Sequence, residues 1–482
     1  MTSSLVQTTA RDPSALTPRL RAILAIVLIA DIVDLMDSTI TNIAAPTIVH
    51  ELGGGESLVK WLGASYALAM GVLLVVGGRL GDRFGKRRMF LVGIAGFGLA
   101  SLLCGLAVDP AMLITARLLQ GALGALLIPQ GMGLLIANFS RAQFPRAASA
   151  FGPVMGGAAV LGPILAGFII GANIDGLTWR PMFLINIVLC VAGLAAALRL
   201  LPKDEDLRPV SVDGLGAGLL GLSMLGLIYG LIDGSTSGWT AGPVASLAGG
   251  AVFMVLFGIR QVKARNPLIE PSLLHNRGFT AGLLLGLGYF AAVNGFAYVI
   301  SLFFQLGLGL SPELAALGLS PLMAGIIIAS VFARPLIPKL GRGLVVGGLL
   351  ITLLGAAGVL VTALVAGTSL SAWLTAPSVL VLGVGMGASF SSIFDVAIGD
   401  VAGEEAGSAS GSLSSVQQLA AAIGSAVVTT VYFAQAGHGT AVHALIVSVA
   451  VVAGIAAACL GLVWLLPAKA PAEEWQEAAA EG

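Results

Sequence analysis

The stretch "GGRLGDRFGKRR", Gly77 to Arg88, sets five basic residues, one acid and four glycines between two apolar runs, 57–79 and 89–107. Each run is close to the roughly 20 residues that cross a hydrocarbon core. The glycines permit a tight turn and a close backbone approach. The cations hold such a connection on the cytoplasmic side of a membrane. Asp82 is available to pair with a cation or to cap a facing helix start.

The same alternation continues outward from this point. Of 482 residues, 57% are hydrophobic and 10% are charged, against about 25% charged in soluble domains. Mean hydropathy is +0.99, so lipid must be the solvent for most of the chain. Fourteen apolar runs fit spanning helices: 21–46, 57–79, 89–107, 111–137, 145–171, 181–200, 212–233, 243–261, 278–306, 313–337, 344–366, 372–399, 407–434 and 440–466. The first is too long for the core of a cleavable leader. With the N terminus inside, 21 of the 24 Lys and Arg fall on inner connections; Lys60 and Arg180 fall outside, and Arg117 lies within the fourth run. This bias predicts an even number of spans, both termini cytoplasmic and a place in the cell membrane.

The chain divides into a cytoplasmic segment 1–20, a six-helix bundle 21–200, two inserted helices 201–265, a second six-helix bundle 266–467 and an acidic tail 468–482. Gly78–Lys86 and Arg334–Arg342 correspond at Leu80/Leu336, Arg83/Lys339, Gly85/Gly341 and Lys86/Arg342. Repeats of this kind are typical of secondary transporters.

Several function classes find no support. Net charge is zero, which gives no pull toward nucleic acid. No GxxxxGK[ST] loop is present to cradle a nucleotide. Cys104, Cys190 and Cys459 lie singly in apolar runs, and the four histidines lack metal-ligand spacing. No cluster of catalytic groups marks an enzyme.

The Gly77–Arg88 string resembles the cytoplasmic signature of the major facilitator superfamily at Gly78, Leu80, Asp82, Arg83, Gly85, Lys86 and Arg87. Three further strings are similar to the fourteen-helix drug:proton antiporter branch. They are "MDSTITNIAAP" (Met36–Pro46), "RLLQGALGA" (Arg117–Ala125, with Arg117, Gln120, Gly121 and Gly124) and "AAVLGPILAG" (Ala158–Gly167, with Gly162, Pro163 and Gly167). In the last, Ala158 and Ala166 stand where glycine is usual. The resemblance implies an all-α fold of two six-helix bundles with two added helices, and an alternating-access exporter driven by the proton gradient. It implies amphipathic or cationic drugs as cargo, no cofactor, and lipid, substrate and protons as partners; a monomer is expected. A metabolite carrier on the same fold is the alternative, because fold does not fix substrate.

Asp31, Asp34 and Asp37 interrupt the first apolar run. Each carboxylate in a membrane costs about 2.5–3.5 kcal/mol on insertion scales. On a helix they span an arc of about 120° and roughly 9 Å of axis, forming one acidic stripe that must line a wet cavity or meet a partner. Arg117 is the evident partner, and one arginine cannot neutralise three carboxylates, so part of the stripe must be protonated, hydrated or matched by substrate. Proton coupling is therefore expected at Asp31, Asp34, Asp37 and Arg117. Substrate contacts are expected at Asp34, Asp37, Asn294, Tyr298, Gln305 and Asp395, which are polar groups at or near membrane depth. Asp213 should open a helix, and Gly162-Pro163 should kink one.

Overall fold

The structure, a computed structural model, describes residues 16–140, 143–204, 212–398, 401 and 405–467. The expected tail 468–482 and most of the segment 1–20 lie outside the described residues. The described chain is helical throughout. Its first eight helices are α1 (Pro18–Leu52), α2 (Gly55–Phe84), α3 (Lys86–Gly105), α4 (Pro110–Asn138), α5 (Phe144–Ala172), α6 (Arg180–Leu200), α7 (Gly214–Ser237) and α8 (Ala241–Lys263). The others are α9 (Pro271–His275), α10 (Arg277–Leu302), α11 (Pro312–Ala333), α12 (Ile337–Leu340), α13 (Arg342–Ala366), α14 (Ala372–Ile398), α15 (Ala406–Ala436) and α16 (Ala441–Leu462).

Among the described residues, twelve helices are long and apolar enough to cross a membrane. α1 and α5 are not counted there. α1 carries the three aspartates, and only Leu161–Ala172 of α5 is recorded as an apolar stretch. The connection 262–277, which reads as a loop in the sequence, holds the short helix α9.

Local signals explain the helix starts. Thr17, Asp109, Asp213, Asn276 and Thr440 each accept a backbone N–H of the first turn, a cap of about 1 kcal/mol apiece. Asp213 thus opens α7 as expected. The glycine of the basic turn, Gly85, takes φ 102°, and its counterpart Gly341 takes φ 49°, so both repeats turn on a left-handed residue that favours glycine. Asp204 accepts from the backbone N–H groups of Arg87 and Arg88, at 2.9 and 3.1 Å, and holds the start of α3. Asp82 lies 3.8 Å from Lys86.

The helices alternate in direction, so one face gathers the basic connections. There Arg87 donates to the Leu198 carbonyl and Arg342 to that of Leu466. At the opposite face Glu51 accepts from Thr178 and Arg180. Helices α1–α6 pack among themselves, as do α10, α11 and α13–α16, and the two groups meet along α2/α15 and α5/α11.

Small residues make these seams. A Cβ at Gly167 would lie 2.8 Å from the Pro312 carbonyl, and one at Gly71 would lie 2.9 Å from the Leu419 nitrogen. Ala166, in place of the usual glycine, is fully buried. Gly162 abuts Met36 and Thr39 of α1, and α5 runs unbroken through Gly162-Pro163. Gly162 there serves close packing of α5 on α1.

Two apolar clusters join the groups, one toward the opposite face and one along the α2/α15 seam beneath α7. Ile43 and Ile48 of α1, Leu62 of α2, Phe296 of α10, Phe303 just beyond it, Leu319 of α11 and Tyr432 of α15 belong to one buried cluster. Toward the basic face the core divides around α1 and α10: one cluster is confined to the first six helices and another to α10 and α13–α16 with adjoining residues.

The pair α7/α8 is held together by Ser223 to the Gly250 carbonyl, Ser246 to the Gly226 carbonyl, and Arg260 on Asp213. α7 lies over the α2/α15 seam, where Leu220, Met224 and Ile228 pack with Leu68, Val72 and Leu419. At its far end the wholly buried Lys60 of α2 donates to Ser235 of α7 at 2.9 Å, with the Phe433 ring of α15 beside it.

We expect Gly424→Ala to lower the melting temperature in detergent by several degrees, because its Cβ would meet the Ala291 carbonyl at 2.1 Å. Gly411→Ala on the same helix, where the space is open, should leave it unchanged. Equal effects would show that the α10/α15 contact does not depend on the missing side chain.

Candidate functional site

The three aspartates of α1 do not share one environment. Asp37 is fully buried, and Arg117 of α4, at 1% exposure, places its guanidinium on one carboxylate oxygen. The other oxygen accepts from Gln120 Nε2 at 2.8 Å and Asn186 Nδ2 at 2.7 Å. Arg117 also donates to Gln120 Oε1 at 2.7 Å, and Gln120 Nε2 reaches Ser101 Oγ at 2.8 Å. Helices α1, α3, α4 and α6 are joined at this one charge pair.

Aromatic rings enclose the guanidinium: Tyr66 lies 4.5 Å and Phe183 5.7 Å from it. Such cation–π contacts strengthen when desolvated. A buried ion pair with saturated partners is tolerated, whereas a lone buried charge costs about 3–5 kcal/mol.

Asp34, 6% exposed, accepts from the Tyr66 hydroxyl of α2. The site needs small residues on α4. A Cβ at Gly121 would strike the Tyr66 carbonyl at 2.2 Å, and one at Gly124 would lie 2.9 Å from the Tyr66 hydroxyl and 3.2 Å from Asp34.

Asp31 is partly exposed, and its Oδ1 is buried with no hydrogen-bond partner. It lies about eleven residues before Asn42, whose carbonyl accepts from Ser301 of α10. Eleven residues at 100° bring a helix back to nearly the same side, so Asp31 faces the second helix group as Asn42 does. The single acidic stripe read from the sequence is thus divided: Asp34 and Asp37 turn into the first group, and Asp31 turns toward the second.

The other expected contacts are dispersed. Asn294 is half-buried and donates to the Phe290 carbonyl on its own helix. Tyr298 is fully buried, and its hydroxyl donates to the Val59 carbonyl of α2 at 2.5 Å, so it lies between the groups where they are sealed. Gln305 sits in a π turn at Phe303–Gly307, beyond Tyr298 toward the opposite face. Asp395 is exposed near the basic end of α14. Tyr66, Ser101 and Asn186 were not singled out by sequence; their only signal was a polar group within an apolar run.

An antiparallel assembly of two helix groups, with a charge pair buried between the first and fourth helices, has the architecture of a membrane carrier. The chain matches the Major Facilitator Superfamily model over residues 27–425, and it belongs to that family. It is 41% identical over 422 residues to the probable actinorhodin transporter of Streptomyces coelicolor, covering 86% of this chain and 73% of that protein. It is 31% identical to the tetracenomycin C resistance and export protein of Streptomyces glaucescens, covering 83% and 74%. The multidrug efflux pump LfrA of Mycolicibacterium smegmatis is 30% identical, covering 83% and 78%. A peptide transporter POT crystal structure superposes with a TM-score of 0.67 at 16% identity, over 92% of this chain and 95% of that one, a likeness of fold alone.

Arg117→Lys is expected to destabilise the protein markedly, because an ammonium cannot supply the planar fork and ring stacking together. The comparison variant Arg87→Lys, at the surface turn, should not. Thermal unfolding in detergent reads the difference; equal melting temperatures would remove the charge pair from its organising role.

Proposed function

We propose that this chain is an exporter of amphipathic or cationic drug-like compounds that exchanges them for protons across the cell membrane by alternating access. The observation that carries this reading is the division of labour on α1. Asp37 is saturated by Arg117, Gln120 and Asn186, while Asp31 keeps an unpartnered oxygen on the side facing the second helix group. A carboxylate on that side can exchange its proton for a cationic cargo, which is what coupling requires. Relatives named for drug or antibiotic export support the choice of cargo.

In this reading the basic face is cytoplasmic, both termini lie there, and the two groups of six helices move as units, as a monomer in lipid. The shared core at the opposite face, with separate clusters around α1 and around α10 toward the basic face, then corresponds to an inward-facing state. The cycle would break the contacts Ser301–Asn42 and Tyr298–Val59 and close the basic ends.

Two measurements test the proposal. In proteoliposomes, Asp31→Asn and Asp34→Asn should abolish transport driven by an imposed pH gradient while leaving the melting temperature near wild type. Wild-type rates in both variants would remove the aspartates from coupling. A disulfide joining Asn42→Cys and Ser301→Cys should arrest transport, and reductant should restore it; transport persisting with the cross-link complete would rule out opening at that face.

A further inference from the structure

Aromatic residues make up 6% of the chain, yet three phenylalanines meet at one point on the second helix group. Phe390 and Phe394 of α14 are stacked with centroids 5.8 Å apart, and Phe290 of α10 stands edge-on to both, at 5.4 and 5.9 Å. Phe290 is buried, Phe394 half-buried and Phe390 38% exposed.

The wheel of α14 gives the direction of this cluster. Gly383 and Gly387 meet the Leu322 and Ile326 carbonyls of α11, and Gly385 meets Thr352 of α13. The Met386 carbonyl accepts from Tyr289, and Ala397 meets Gly282, both on α10. At about 100° per residue, Phe390 and Phe394 fall between the α10 side and the α11 side, away from α13. α10 meets α1 and α11 meets α5 of the first group, so rings set between the α10 and α11 sides face that group.

Depth follows from the one contact that ties α1 to α10. Phe290 lies about eleven residues before Ser301, and Asp31 about eleven before Asn42, roughly 16 Å of axis in each helix. Both helices rise from the basic face, so Asp31 and the phenylalanines stand at the same level. Around α1 and α10 the clusters of the two groups are separate at this level, while α2 and α15 stay in contact.

We propose that Phe390 and Phe394 form a stacking shelf for a planar aromatic ring system, and that Asp31, across the gap, receives the cationic or hydrogen-bond-donating end of the same molecule. The shelf makes this transporter selective for planar polycyclic cargo over aliphatic cations. A flat ring gains an offset-stacked face and an edge contact at once, which an alkyl group of equal area does not. Asp395 takes no part, because the wheel sets it on the side away from α10.

This proposal rests on the exporter reading for its biological meaning, but binding tests it separately. Purified protein in nanodiscs is titrated with ethidium, a planar aromatic cation, and with tetrabutylammonium, a cation without rings. Phe390→Leu keeps the apolar bulk and removes the ring; it should weaken ethidium at least tenfold relative to tetrabutylammonium, and Phe390→Tyr should restore it. Asp31→Asn should weaken both cations. Phe332→Leu, on the outer side of α11, should change neither. An unchanged affinity ratio in Phe390→Leu, or wild-type protein that does not bind ethidium, overturns the shelf. Protein that binds ethidium with the expected pattern but fails to move it in proteoliposomes would overturn the exporter reading and leave the shelf standing.

Discussion

One charge pair organises the first six helices. Arg117 and Asp37 sit where water cannot reach, and neither could remain ionised there alone without a cost of several kcal/mol. Gln120, Asn186 and Ser101 therefore converge on the pair, and Tyr66 and Phe183 close around the guanidinium. Gly121 and Gly124 then have to be glycines, because a side chain on either would displace Tyr66. The register of α1 against α4 follows, and with it the rotation that sends Asp31 outward while Asp34 and Asp37 turn inward.

The second helix group has no such centre among the described residues. Its seams rest on backbone contacts at Gly325, Gly355, Gly383 and Gly387, which hold helices close through dispersion rather than through fixed charges. A scaffold pinned by charge thus faces one packed by small residues. The two meet through the Tyr298 and Ser301 hydrogen bonds and a shared apolar cluster.

Much of this architecture was legible in the sequence. The basic turn at Gly77–Arg88 announced the topology, because positive charge and glycine at fixed spacing act locally. The cap at Asp213 was readable for the same reason. Arg117 as partner of the α1 aspartates followed from scarcity, as no other cation lies so deep. What sequence could not supply was rotation about the helix axis. A 120° arc of aspartates can face one cavity or be shared between two environments, and only the packing of α2, α4 and α6 decides. Tyr298 and Gln305 illustrate the same limit: both are polar at membrane depth, yet they lie where the two groups are sealed. Lys60, counted as an outer-loop cation, is buried because α7 supplies Ser235 and α15 supplies an aromatic face.

The position of α7 also has a meaning for the surrounding bilayer. The two helix groups meet along two seams, and α7 lies over the α2/α15 seam while α7 and α8 make no comparable packing with α5 or α11 among the described residues. A fold built from two similar halves would otherwise present lipid with two equivalent flanks. Here one flank is shuttered and the other is bare, so the molecule has a front and a back in the plane of the membrane. An amphiphile dissolved in the acyl chains meets them unequally.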